Sequence, residues 1–280
     1  MYQRSLMSRT RKATAKIIWL VLLLTFAMTI TGDAVRPELK KGSPSARLIL
    51  PYYEVDTSRS DGANTFFSVR NETSQPVDIQ VSYFGVDRPA TPLLVVETTL
   101  AGKELRQFAV GQVQDDLLVD PDGFARGFAI IESTSNASPI QGDYFQLDRD
   151  QGFASGFRLL NGDPLSPDND LCSLFSIRFL NGGAFDDTQI NLWLDTAEVP
   201  DPEAPIGTYA VYTQEGGLVF STNLFAAEVT SKRLASDMVS IIPTQFGVME
   251  IQLNDLQGHV SATMSAFGLY SVGVEATCGD

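Results

Sequence analysis

His259 is the only histidine in the chain, so a Ser-His-Asp or Cys-His catalyst would have to be built around it. It opens an alternating stretch beside Gly258, and the Gly-x-Ser-x-Gly nucleophile elbow is absent. With no convergent partners indicated, His259 is expected at a strand edge on the surface. Carboxylates are abundant, 34 in all, and an Asp/Glu pair could in principle hydrolyse a glycoside. No spacing brings two of them across a cleft. Glu132 and Glu250, in matching segments, are expected to end strands at the surface.

Acidic turns form a second group: Asp120-Pro-Asp122-Gly123, Asp148-Arg-Asp150, Asp168-Asn-Asp170 and Asp186-Asp187. Calcium takes six to eight hard oxygen ligands, which makes Asp120, Asp122, Asp168 and Asp170 candidate ligands. None of these clusters follows the EF-hand spacing, and Asp-Pro-Asp-Gly is also an ordinary turn sequence. A third group is aromatic. Trp193 falls on the opposite strand face from Leu192 and Leu194, with Tyr209 and Tyr212 close in sequence. If open, that face could stack on sugar rings. The alternative is that the Pro-rich stretch 199–207 folds over Trp193 and buries it.

Cys172 and Cys278 are the only cysteines. CxxC and Cys/His clusters are absent, so zinc has no support. In an exported chain the pair is expected to form a disulfide closing the second half of the sequence.

Export is expected from the N-terminus. Arg4, Arg9, Arg11, Lys12 and Lys16 precede the apolar stretch 17–30, and Gly32-Asp33-Ala34 has the small residues of a cleavage site. Residues 1–34 are therefore expected to be a signal peptide and 35–46 a linker. No later apolar run reaches the roughly 20 residues of a spanning helix. The chain carries a net charge of −14; without the five basic and one acidic residues of 1–34, 15 basic and 33 acidic residues remain, a net of −18. Such a chain repels nucleic acid and anionic lipid.

These groups must be positioned by strands. Period-two alternation dominates after residue 46, broken by Gly, Pro and Asn turns, with short helical turns expected only within 110–119 and 231–239. An internal repeat stands out: Thr65-Phe-Phe-Ser-Val-Arg70 against Ser173-Leu-Phe-Ser-Ile-Arg178, and Phe128-Ala-Ile-Ile-Glu132 against Phe246-Gly-Val-Met-Glu250. On this alignment Arg47–Asp56 is an extra leading strand of the first copy. The expected fold is all-β: two tandem Ig-like antiparallel β-sandwich units, 47–160 and 171–280, joined by a linker at 161–170.

The order Phe-Ser-Val-Arg-Asn-Glu-Thr (67–73), Val-Asp-Ile-Gln-Val-Ser-Tyr (77–83), Gly-Phe-Ala-Ile-Ile-Glu-Ser (127–133) and Pro-Ile-Gln-Gly (139–142) resembles exported bacterial Ig-like modules. The second copy matches less well, with Gly258-His-Val260 in place of Pro-Ile. The resemblance implies a sandwich fold and an extracytoplasmic place, and it carries no catalytic motif. The sequons Asn71-Glu-Thr73 and Asn136-Ala-Ser138 are assigned no role. The function expected is a non-catalytic structural or adhesive one at the cell envelope, with a protein or glycan partner and no cofactor other than calcium. The alternatives are carbohydrate binding through Trp193, Tyr209 and Tyr212, or a carboxylate-dependent glycoside hydrolase.

Overall fold

Alternating sequence becomes strand over most of the described residues. In the computed structural model the described residues are 44–279, apart from 88, 135–138, 149–152, 165, 167–168, 181–187, 239–245 and 267–269. The expected signal peptide and the expected linker up to residue 43 lie outside them. So do Asp168, the pair Asp186-Asp187, Asp150 and the sequon asparagine Asn136.

Among the described residues the first half holds nine strands: β1 (Arg47–Asp56), β2 (Asn64–Asn71), β3 (Val77–Gly85), β4 (Leu94–Leu100), β5 (Leu105–Ala109), β6 (Phe124–Ser133), β7 (Ile140–Asp148), β8 (Phe153–Arg158) and β9 (Leu160–Asn161). The second half holds nine more: β10 (Leu174–Leu180), β11 (Thr188–Leu194), β12 (Gly207–Thr213), β13 (Leu218–Leu224), β14 (Thr230–Leu234), β15 (Phe246–Leu253), β16 (Gly258–Ala266), β17 (Tyr270–Glu275) and β18 (Thr277–Cys278). Helix among the described residues is limited to two 3-10 turns, Val110–Gln112 and Gln114–Asp116, and the short α1 (Ala235–Met238). All three fall within the stretches where helical turns were expected. β14 starts at Thr230, so strand persists into the second of those stretches.

Four antiparallel sheets result, and they repeat strand for strand. The first half has β4-β3-β6-β1-β9 and β5-β2-β7-β8; the second has β13-β12-β15-β10-β18 and β14-β11-β16-β17. Each strand of the second half stands nine places after its counterpart. Flanking hydrogen bonds repeat as well. Ser133 N–H donates to Ala46 O at 2.8 Å, as Leu253 N–H does to Ser173 O at 2.7 Å; Asn71 N–H donates to Glu104 O, as Leu194 N–H does to Val229 O.

This topology corrects the repeat alignment. The counterpart of β10, which carries Phe-Ser-Ile-Arg, is β1; the counterpart of β2, which carries Phe-Ser-Val-Arg, is β11. Any half-buried strand shows the same alternation, so two short strands can match in letters while holding different places. β1 is thus no addition to the first copy. The pairing of 128–132 with 246–250 joins the right strands, β6 and β15, but two residues out of register: through their partners Leu48 and Phe175, Ile131 is equivalent to Ile251 and not to Met249.

Each half buries its own sandwich core. Phe67, Val69, Ile79, Val81, Ile131 and Tyr144 fill the first; Phe175, Ile177, Phe179, Leu192, Met249 and Ile251 fill the second. Fully burying one such side chain is worth about 1.5–3 kcal/mol. The strand order differs from that of Ig constant domains, whose first two strands share a sheet; here β1 and β2 lie in different sheets. β1 is buried on both faces from Leu48 to Asp56. Leu48 and Leu50 enter the first core, whereas Ile49 joins Phe84, Phe128 and Leu160 in the cluster of the second half. The two sandwiches therefore share a seam, and residues 42–280 form one unit.

Candidate functional site at the seam between the halves

The seam gathers the charged and polar side chains that alternation points away from the two cores. Glu54 on β1 lies at its centre, 8 % exposed. Its Oε1 accepts from Lys232 Nζ of β14 at 2.8 Å; its Oε2 accepts from Arg126 Nε of β6 at 3.1 Å and from Tyr52 Oη at 2.5 Å. Burial alone would raise the Glu54 pKa, but Lys232 beside it and the hydrogen bonds from Lys232, Tyr52 and Arg126 outweigh burial and hold it below the usual carboxylate range. Burial, then neighbouring Glu54, pushes the Tyr52 phenol well up. Glu54 stays ionised and Tyr52 protonated, each committed to the other and to two cations. The adjoining cavity, lined by Tyr52, Asn64, Gln146, Gln189 and Lys232 among others, measures about 20 Å³, room for one water.

Beside this cluster the backbone is stitched across the halves. Thr230 Oγ1 donates to Pro51 O at 2.7 Å, and Val229 N–H to Val86 O at 2.8 Å. Further along, β8 lies against β17. Ala154 N–H donates to Ser271 Oγ at 2.9 Å, Ser155 and Thr263 hydroxyls meet at 3.3 Å, and Arg158 reaches Glu275 at 3.2 Å and Asp170 at 2.7 Å.

Trp193 is buried in this seam, 2 % exposed, with its ring edge-on to Phe128 of the first half at 6.0 Å. This removes the open aromatic shelf and bears out the burial expected in its place, though the cover includes Phe128 of the opposite half, which adjacent sequence could not reveal. Tyr209 is half-buried, its hydroxyl donating to Met238 O at 2.5 Å, and its ring packs edge-on to Phe220. Tyr212 lies beside Glu250, whose hydrogen bond and charge raise its pKa. The three aromatics do not form one stacking surface.

His259 also departs from the surface position expected for it. It is buried opposite Trp193 on the neighbouring strand, and burial, followed by the charge of Arg158, lowers its pKa to about 3. It is a neutral side chain within the seam.

Asp120 and Asp122 share one cation: Arg126 Nη1 lies 2.9 Å from Asp120 and 2.8 Å from Asp122. Gly123 closes their turn at φ +86°, and its N–H donates to Asp120 O at 2.9 Å. Asp170 accepts from Asn161 N–H at 2.7 Å as well as from Arg158, so the end of the expected linker is tied to β9. Among the described residues no three His, Cys, Asp or Glu side chains are grouped to hold a metal ion.

Cys172 and Cys278 are disulfide-bonded, their Cα atoms 5.9 Å apart. The bridge joins the bend before β10 to β18. In the first half the equivalent residues, found from the matching bridges and ladders, are Ser45 and Asn161. There Arg47 Nη1 donates to Gly162 O at 3.1 Å, closing the same place without a covalent bond.

Fold and site together define an all-β protein of two β-sandwiches joined through a buried polar seam, stapled by one disulfide. No helix among the described residues is long and apolar enough to cross a membrane. No family model, curated protein or solved structure matches the chain.

Proposed function

We propose that the protein is exported and acts at the cell envelope as a non-catalytic structural or adhesive element. The observation that carries this reading is the Cys172–Cys278 bridge, a cross-link that persists in oxidising compartments, in a chain whose first 34 residues have the pattern of a secretory leader. The state of the polar groups supports the non-catalytic part. Glu54 is bound to Lys232 and Arg126, Arg158 is bound to Asp170, and His259 is buried neutral. The surface groove lined by Asp87, Pro89, Thr91, Leu93, Ala197 and Val199 contributes one carboxylate, Asp87, whereas glycoside hydrolysis uses two. With Trp193 buried, a protein surface is the favoured partner over a stacked sugar.

The test is expression of the full chain in a bacterium, with fractionation, N-terminal sequencing and thiol titration under denaturing, non-reducing conditions. The expected product starts at Val35, leaves the cytoplasm and has no free thiol. An uncleaved cytoplasmic product with two titratable thiols would overturn the proposal.

A further inference from the structure

The contact between the halves is one-sided, and among the described residues the positions equivalent to its central polar pair, Val272 and Phe145, are left open. In the first half, the edge strand β8 is laid on the outer face of the second half's β14-β11-β16-β17 sheet. Ser155 meets Thr263 at 3.3 Å, Arg158 meets Glu275 at 3.2 Å, and a Cβ on Gly273 would stand 2.7 Å from the Phe157 ring. Register supplies the equivalent residues. Gln146 pairs with Ser155 as Met264 does with Val272, and Asp143 pairs with Arg158 as Ser261 does with Glu275. Val272 is therefore the counterpart of Ser155, Val274 of Phe157 and Glu275 of Arg158. On the receiving sheet, Phe145 is the counterpart of Thr263 and Gly156 of Gly273.

The polar pair used inside the chain thus has an apolar equivalent that is open. Phe145 is 52 % exposed and Val272 50 % exposed, at opposite halves. Gly156 lies under the Phe145 ring, where a Cβ would come within 2.7 Å of it. A single exposed hydrophobic side chain is unremarkable. Two that stand where one more repetition of the internal contact would bring them together are a matched pair. The ionic contact is not repeated, because Arg158 and Glu275 are already paired with each other within the chain; the open contact is apolar. An interface whose two sides differ does not close on itself in a pair, and it propagates.

We propose that copies of this chain associate head to tail into linear assemblies, β17 of one copy lying on the outer face of the β5-β2-β7-β8 sheet of the next. Val272 would pack on Phe145 there, as Ser155 packs on Thr263 within the chain. The occupant of both open surfaces is a second copy, because the internal interface is already the same contact made once. This inference does not depend on where the protein resides.

Sedimentation velocity on the oxidised mature chain across a concentration series tests it. The expected result is a mass that rises with concentration past the dimer, while Phe145→Asp and Val272→Asp each remain monomeric with unchanged far-UV circular dichroism. The decisive measurement is their equimolar mixture. Phe145→Asp retains the Val272 surface and Val272→Asp retains the Phe145 surface, so the mixture should form one-to-one heterodimers and nothing larger. A wild-type chain that stays monomeric throughout, a mixture that stays monomeric, or assembly unaffected by either substitution would each overturn the proposal.

Discussion

Arg158 and Glu275 hold equivalent positions on β8 and β17, and they are each other's ion-pair partner, Nε to Oε2 at 3.2 Å. A repeat that had kept the same charge at both places would repel itself at its own seam. Arg158 also holds Asp170 at 2.7 Å, a carboxylate with a side chain only 14 % exposed. Arg158→Ala should therefore cost more stability than Glu275→Ala, by about 1–3 kcal/mol, because it leaves Asp170 without its cation. Urea unfolding of the two variants makes the comparison, and equal midpoints would rule it out.

Lys232 belongs to the second half and Glu54 to the first, so their pair reports on the seam. Lys232→Met should destabilise by about 1–3 kcal/mol, since it removes one of the two cations of a buried carboxylate that keeps Arg126. Adding Glu54→Gln should recover part of that loss. The double-mutant cycle measures the coupling, and a value near zero would show that the pair does not hold the halves together.

The disulfide closes a loop with a sequence separation of 106. In the chain-entropy model a loop of roughly 100 residues gives up to about 4.7 kcal/mol. Cys172→Ser with Cys278→Ser should lower the denaturation midpoint strongly, as should dithiothreitol on the wild type. Dithiothreitol should have no further effect on the double variant; a residual shift would mean that it acts elsewhere.

His259 gives the fold an acid sensitivity of known sign. Its folded pKa, about 3, lies below the ordinary 6.5 because it is buried and near Arg158. Between those values the unfolded chain binds a proton that the folded chain does not. Its contribution to stability is thus complete above pH 6.5 and falls with pH by up to about 1.4 kcal/mol per unit toward pH 3. Gln141 stands at the equivalent place in the first half. His259→Gln should reduce the loss of stability between pH 7 and pH 5, as read from urea midpoints at both. An undiminished loss would assign the effect to other groups.

Trp193 Nε1 is buried without a hydrogen-bond partner among the described residues. Trp193→Phe should consequently cost far less than Trp193→Ala, for which about 3–5 kcal/mol is expected from the lost packing on Phe128. The other tryptophan, Trp19, belongs to the expected leader, so fluorescence of the mature chain comes from the seam alone. Its emission should be blue-shifted and should move to the red when the seam opens. A solvent-exposed emission maximum in the native protein would contradict the burial of Trp193.

Much of the fold was legible. Alternation marked the chain after residue 46 as strand, and the two regions marked for helical turns contain them. The repeat was legible as a repeat but not in register. Phe66–Arg70 and Leu174–Arg178 look alike because both strands have one face in a core, which leaves their place in the sheet undetermined. The site was hardly legible. Glu54, Arg126 and Lys232 are separated by about 70 to 180 positions and follow no motif, and they meet only because β1, β6 and β14 converge. Buried polar residues such as Asn191, Ser261 and Thr263 on an outward-facing pattern would have been the available signal only with the covering half in view.

The sequence by itself determined that the chain after residue 46 is mostly β, that it is built twice, and that its two cysteines are the available cross-link. Those properties follow from local alternation, turn residues and composition. Tertiary structure alone decided which outward faces become interior. Strand periodicity separates two faces of a sheet, but it carries no information about what lies against the second one. The first half supplies that cover for Trp193 and His259 of the second. The equivalent face of the first half, carrying Phe145, remains open.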